Sequence, residues 1–256
     1  MIVSGQDTTR DGWRPVDLSE HHHRRAHDQP GTPSPVSRAD LVVLLADEVE
    51  ARSADHPARV AVDGCASSGK TTLADELAAA LRERGRPVVR ACVDDFHLPR
   101  DERYRRDLES PDSAQACYHR TFDYPALKRL LLEPMGPHGT RTHRTTLSQA
   151  TAATAAPEAV LIFDGVFLMR PELRDWWALT VHLAVRPEEI LRRARIRDLH
   201  LFGTPERVDH RYRNRYLPAQ QLYHADHQPL AHADFVIGND DPAAPLPIRT
   251  PRPPDA

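Results

Sequence analysis

Residues 64–71 read Gly-Cys-Ala-Ser-Ser-Gly-Lys-Thr and satisfy G-x-x-x-x-G-K-[ST] at every fixed position. An apolar run, 59–63, precedes them. A stretch over 70–84 follows, with Leu73, Leu77 and Leu81 on one helical face and Gly85 at its end. Strand, small-residue loop and helix in that order constrain the fold more than any other feature of the chain. Small side chains let the backbone wrap a phosphate chain with successive N–H groups turned inward. The helix N-terminus adds its partial positive charge. Lys70 would then bridge the outer phosphates, and the Thr71 hydroxyl would ligate Mg²⁺. The residues expected around a nucleoside triphosphate are Gly64, Cys65, Ala66, Ser67, Ser68, Gly69, Lys70, Thr71 and Thr72. Composition sharpens the point: of the 34 basic residues only Lys70 and Lys128 are lysines. In so Arg-rich a chain, a lysine here marks a place that needs a compact point charge.

The rest of the chain alternates in kind. Nearly continuous apolar runs at 59–63, 87–93, 159–164, 180–185 and 234–237 read as strands buried on both faces. Leu41, Val42, Leu44, Leu45 and Val49 read as a leading amphipathic helix after Ser37, and 70–84, 124–133, 187–200 and 205–227 as further helices. Such alternation implies an α/β fold: a five-stranded parallel sheet between helical layers, joined by right-handed crossovers. Residues 1–37, rich in Gly, Pro, Ser, Asp and His, are expected to be a disordered tail. Residues 38–240 form the domain. Residues 241–256, with six prolines, are expected to be loose.

Bulk properties narrow the function. A net charge of −3 over 256 residues gives no global pull toward nucleic acid or an anionic membrane. Cys65, Cys92 and Cys117 have no metal-ligand spacing and fit a reducing compartment. His21, His22 and His23 lack acidic or Cys partners at a fitting offset and read as low-complexity tail. Apolar runs such as 41–46 are too short to span a bilayer, and no signal-peptide pattern opens the chain. These features predict a cytoplasmic protein with a small-molecule partner, no nucleic acid and no membrane; a homo-oligomer stays open.

Two further strand ends carry acids. Asp94 and Asp95 follow the run 87–93 and would emerge at the carboxyl edge of the sheet, where ligands of open α/β sheets sit. A carboxylate there could take a proton from an acceptor hydroxyl, though the same pair could close a turn or cap a helix. Asp164 ends the third run and precedes Gly165, the Walker B arrangement that holds Mg²⁺. Arg192, Arg193, Arg195 and Arg197 crowd one helix. They cannot all face one ligand, so one or two are expected to act as a phosphate-neutralising lid. Arg211, Arg213 and Arg215 lean toward a surface role, and Trp176 and Trp177 toward packing.

With GCASSGKTT, VDDFHLPR, TFDYPAL, LIFDGVFLMRPELRDWW, RARIRD and ADFVIGNDD in that order, the chain from about residue 60 to 240 resembles the uridine kinase and phosphoribulokinase-like branch of P-loop small-molecule kinases. DDF followed by Pro also resembles nicotinamide riboside kinases. The resemblance implies ATP and Mg²⁺ and phosphorylation of a hydroxyl, foremost the 5′-hydroxyl of a nucleoside. By position it makes Asp94 the base, with Lys70, Arg193 and Arg197 assisting transfer. Asp95 and His97 would line the acceptor pocket, Asp123 would grip ribose hydroxyls, and Asp164 would stand near Mg²⁺. The segment that reads a pyrimidine in uridine kinases has here His143 and Arg144 but no Tyr-Asp, and the lid lacks Arg-Gly-Arg. The alternatives are a kinase of nicotinamide riboside, pantothenate or a sugar phosphate, or an ATPase or switch acting on a protein partner. No N-K-x-D guanine motif is present.

Overall fold

Strands that are apolar on both faces must be covered on both faces, and parallel connections bring the helices that do it. The computed structural model, which describes residues 33–52, 54–105 and 113–251, has this arrangement. Its first half runs α1 (Arg38–Ala51), β1 (Ala58–Gly64), α2 (Lys70–Glu83), β2 (Val88–Cys92), a 3-10 turn at Val93–Phe96, α3 (Arg100–Arg105) and α4 (Ala114–Arg120). Next come α5 (Tyr124–Leu127) with its π-helical continuation Lys128–Leu132, a small hairpin of β3 (Thr142–His143) and β4 (Ala153–Thr154), and β5 (Val160–Gly165). After a 3-10 turn at Arg174–Trp176 follow β6 (Leu179–Ala184), α6 (Pro187–Arg197), α7 (Leu199–Phe202) and α8 (Pro205–Arg211). A π-helical segment, Tyr212–Tyr216, leads into α9 (Leu217–His227), α10 (Pro229–His232), β7 (Phe235–Gly238) and β8 (Leu246–Arg249).

The sheet order is β2-β5-β1-β6-β7-β8. The first five strands are parallel, and each lies within one residue of its expected ends. Successive residues of a strand face opposite layers. Val60 and Val62 therefore meet Leu41, Leu45, Leu73 and Leu77 of α1 and α2, while Ala61 belongs to the other core with Phe96, Leu127 and Phe163. Trp177 stacks on Phe163 at 5.5 Å and its indole donates to the Leu168 carbonyl at 3.0 Å, so its role is packing. Among the described residues no helix is long and apolar enough to cross a membrane.

One boundary changes. Residues 246–249 are not loose but form β8, antiparallel to β7, and the Pro245 carbonyl accepts from the Val36 N–H at 3.0 Å. Pro247 is tolerated because this is an edge strand, where a missing N–H breaks no ladder on the outer side. Of the expected N-terminal tail, residues 1–32 lie outside the described residues, as does the end of the chain from 252. The helix expected over 187–200 divides at Asp198, and that over 205–227 passes through the π-helical turn.

Directly before the loop, Asp63 is fully buried and accepts from Leu168 N at 3.2 Å and Tyr223 OH at 2.8 Å, with His182 Nδ1 at 2.9 Å. Burial pushes its carboxyl up, but the hydrogen bonds and charge of His182, with the Tyr223 hydroxyl, outweigh this and leave it below the ordinary range. The network ties β1 to β6, to the loop after β5 and to α9.

His224 packs its ring against His182 at 5.4 Å, and burial, then the charge of His182, holds its imidazole down to about 3. The native state thus refuses a proton that the unfolded chain takes up near its ordinary pKa of about 6.5. Stability is therefore full above that value and falls as pH drops toward the folded pKa, by at most about 1.4 kcal/mol per pH unit. Urea unfolding at successive pH values should show this slope between about pH 6.5 and 4.5, and His224→Gln should flatten it. A variant retaining the whole slope would assign it to other groups.

Candidate active site

The carboxyl ends of β1, β2 and β5 open into one cleft of about 290 Å³. Two glycines shape the loop beside it. Gly64 has φ 148°, and a Cβ there would lie 2.8 Å from the Leu183 carbonyl oxygen and 2.9 Å from Ser68 Oγ. Gly69, at φ 95°, is the N-cap of α2 with no side-chain capping bond, and a Cβ there would meet Asn239 Nδ2 at 2.9 Å. The first N–H groups of α2 are thereby left for an anion. Inside the loop, the fully buried Ser68 Oγ has no hydrogen-bond partner. Glycine-bearing turn, uncapped helix start and orphaned hydroxyl fit a phosphate chain.

Lys70 is buried, and its Nζ donates to the Cys65 carbonyl at 2.7 Å, across the loop. Burial lowers its pKa, against the opposing pull of Cys65, Asp164, Asp63 and Asp94. Burial also pushes the Cys65 thiol up to about 11, so Cys65 serves through its backbone. Thr71 Oγ1 donates to Asp164 Oδ2 at 2.7 Å. A hydroxyl and a carboxylate at the mouth of a phosphate loop are the oxygen donors Mg²⁺ uses beside substrate phosphates. Among the described residues no group of three His, Cys, Asp or Glu could hold a metal by itself. Gly165 is required beside this pair, since a Cβ there would come within 2.6 Å of Val93.

Asp94 lies in the 3-10 turn after β2 with its side chain 72% exposed in the cleft wall, within electrostatic reach of Lys70 and Arg197. His97 also lines the cleft; its Nδ1 bonds the Asp94 carbonyl at 2.6 Å and its ring leans on Phe122 at 4.8 Å. Asp95, Asp123 and His143 stand outside the wall. The Asp95 carbonyl accepts from Leu147 N, and burial, then the charges of Asp94 and Asp164, raises its carboxyl. Asp123 Oδ1 accepts from Ala126 N at 2.9 Å and caps α5. His143 is buried in β3 with Nδ1 on the Arg141 carbonyl at 3.0 Å.

The two expected lid arginines part company. Arg197 lines the cleft, bonded to both oxygens of Asp198 and, at 3.1 Å, to Tyr212 OH. Arg193 is instead engaged behind the loop, which corrects its expected place over the phosphates. It donates to the carbonyls of Ser68 at 3.2 Å, Asn239 at 2.6 Å and Asp240 at 3.0 Å, and to Glu189 at 2.7 Å. Asn239 Nδ2 donates to the same Ser68 carbonyl at 2.8 Å. The Ser68 carbonyl is thus held from α6 and from the end of β7, which braces the loop.

Sequence reasoning missed several participants. Arg90 donates to Asp164 Oδ1 at 2.9 Å from the neighbouring strand; an arginine inside an otherwise apolar strand was the available signal. Asp198 and Tyr212, which position Arg197, carried none. Arg211 and Arg215 line the cleft, while Arg213 is exposed as expected of a surface residue.

No family model matches the sequence. Solved structures do. A possible uridine kinase from Bacillus stearothermophilus is 25% identical, covering 77% of this chain and 97% of its own, with TM-score 0.58. A protein from Silicibacter sp. TM1040, provisionally described as a fructose transport system kinase, is 24% identical, covering 72% of this chain and 94% of its own, with TM-score 0.58. A D-glycerate 3-kinase from Cryptococcus neoformans is 13% identical, covering 77% of this chain and 95% of its own, with TM-score 0.55.

The clamp on the Ser68 carbonyl predicts a specific defect. Asn239→Ala should raise the KM for ATP by about five- to tenfold, the value of one hydrogen bond, and leave the KM for the acceptor unchanged. Steady-state kinetics beside a melting curve decides it; an unaltered KM for ATP would remove Asn239 from the loop's support.

Proposed function

We propose, for a chain that has the fold of the uridine kinase and phosphoribulokinase-like P-loop kinases, that it transfers the γ-phosphoryl group of ATP to a hydroxyl of a small molecule. One observation carries the reading: Lys70, Thr71, Asp164 and Asp94 meet in a single cleft, with Arg197 facing them from the lid side. A phosphate loop alone would serve a motor or a switch. A carboxylate positioned beside it, apart from the Asp164 that pairs with Thr71, suits an alcohol acceptor.

The acceptor oxygen attacks the γ-phosphorus as its proton passes to Asp94, the bond to the bridging oxygen breaks, and ADP departs. Lys70 and the N–H groups at the start of α2 hold the phosphate oxygens in place. Arg197, aligned by Asp198 and Tyr212, balances charge that spreads over the transferred group. Thr71 and Asp164 would hold Mg²⁺, which when bound neutralises the phosphate oxygens. His97 steadies the turn that carries Asp94.

The finer reading, a nucleoside phosphorylated at its 5′-hydroxyl, draws on the likeness to the possible uridine kinase and on the VDDFH segment. It calls for a diol reader other than Asp123, whose carboxylate caps a helix.

Asp94→Asn keeps the shape of the side chain and removes the base. Turnover should fall by roughly 10²–10⁴-fold, while a fluorescent ATP analogue still binds. Product is identified by mass after incubation with ATP, Mg²⁺ and an acceptor panel of uridine, cytidine, nicotinamide riboside, pantothenate and a sugar phosphate. Unchanged turnover would remove Asp94 from the mechanism, and equal ATP loss with no acceptor would replace the kinase reading with an ATPase.

A further inference from the structure

Arg90 is the one charged residue of β2, the strand at the edge of the sheet beside β5. Its guanidinium is engaged on every nitrogen. Nε donates to Asp75 Oδ1 of α2 at 2.9 Å, and Nη2 to Asp164 Oδ1 of β5 at 2.9 Å. Nη1 donates to the Ile162 carbonyl at 2.8 Å and to the Ala91 carbonyl at 3.2 Å. Three elements thus hold the planar fork in place. Its two acids differ. The Asp75 side chain is 64% exposed, so water screens that pair, whereas Asp164 is 2% exposed and meets the charge of Arg90 with little screening.

The other oxygen of Asp164 is also occupied. Thr71 Oγ1 donates to Oδ2 at 2.7 Å, and Cys92 Sγ lies on the same oxygen at 3.8 Å. The hydroxyl and carboxylate assigned above to Mg²⁺ are therefore satisfied by each other and by Arg90. To serve a cation, Thr71 must turn its proton away from Asp164, and Asp164 must act with its charge already balanced by a fixed guanidinium. Among the described residues no group of three His, Cys, Asp or Glu adds to the pair. Mg²⁺ sheds its water reluctantly and is held by one or two carboxylates together with substrate phosphates. A phosphate chain in the loop supplies what this pair lacks, further oxygens and negative charge. Lys70 also lies within electrostatic reach of Asp164, but phosphates in the loop would match its charge. Arg90 is not part of the cleft wall and keeps the partners it has.

We infer that Arg90 is a positioning residue that makes the cation site conditional on the nucleotide: by balancing Asp164 from outside the cleft wall, it keeps a divalent cation from binding until a phosphate chain lies in the loop. This rests on the reading of Thr71 and Asp164 as the Mg²⁺ pair of a kinase, and adds to it the order in which cation and nucleotide enter.

The test reads Mn²⁺ binding to the full chain without nucleotide, by loss of the free-ion EPR signal. Beside it, a fluorescent ATP analogue is titrated with and without Mg²⁺. Without nucleotide, the wild type should hold Mn²⁺ no more tightly than Asp164→Asn does. Arg90→Met should hold it at least about tenfold more tightly, since a fixed positive charge has gone from beside a buried carboxylate. The double variant Arg90→Met/Asp164→Asn should lose that gain, and Arg90→Lys should stay close to the wild type. Arg90→Gln is neutral but can still donate to Asp164, and it carries the same expectation if Arg90→Met fails to fold. Neutral variants that bind Mn²⁺ no better than the wild type would overturn the inference and leave the kinase reading standing. So would a gain that survives Asp164→Asn. Mg²⁺ that leaves the wild type's affinity for the ATP analogue unchanged would remove the cation pair itself, and this inference with it.

Discussion

The start of α2 is a helix end without a side-chain cap, and the site is built around keeping it so. A Ser or Asp at position 69 would satisfy the first N–H groups internally, as Asp123 does for α5. Gly69 cannot, and its left-handed backbone turns the chain so that those donors face the cleft. An unsatisfied helix start is costly when buried and useful when an anion fills it. The surroundings therefore have to prevent collapse of the loop onto its own donors. Arg193 and Asn239 do this by holding the Ser68 carbonyl from outside. They come from α6 and from the end of β7, so the cradle depends on β6 lying next to β1 and β7 next to β6 in the sheet.

Charge placement follows the same logic. Asp164 is a buried carboxylate, and such a group persists only with partners. It has the Arg90 guanidinium on one oxygen, and the Thr71 hydroxyl and the Cys92 thiol on the other. The pairing turns the carboxylate to the loop before any cation arrives. Lys70 is in the converse position. Burial disfavours its charge, and the carboxylates of Asp164, Asp63 and Asp94 oppose that. The ammonium is parked on the Cys65 carbonyl by one hydrogen bond, and an ammonium has three N–H donors.

What the sequence made legible was whatever a two-sided burial or a short spacing encodes. The five parallel strands were readable because both of their faces are apolar, and the loop because its fixed positions answer to backbone geometry. β8 was not readable, since its Pro247 speaks against a strand until an edge is known to exist there. Asp123 was read as a ligand, although Asp-Tyr-Pro at the head of an apolar helix is equally a cap with proline in the first turn. Arg211, Arg213 and Arg215 were read together as surface residues, although Arg211 and Arg215 line the cleft. Which face meets the cleft depends on how the π-helical turn rotates the segment, and hydrophobic period does not report a one-residue change in winding. The separation of Arg193 from Arg197 was hidden for another reason. At a spacing of four they share a face, and only the break at Asp198 and the position of Asn239 give them different partners.

Tyr212 joins these parts. Its hydroxyl donates to Asp198, which aligns Arg197, and it also bonds Ser67 within the phosphate loop. It stands in the same π-helical segment that presents Arg215 and directly follows Arg211. The loop is thus tied to the helices over the cleft at two adjacent residues: Ser68 outward through Arg193 to Glu189, and Ser67 inward through Tyr212 to Asp198. The first tie fixes the loop's shape. The second ties Arg197 and Asp198 to the loop through one hydroxyl. Through this single buried phenol the shape of the loop at Ser67 is coupled to the placement of Arg197 in the cleft.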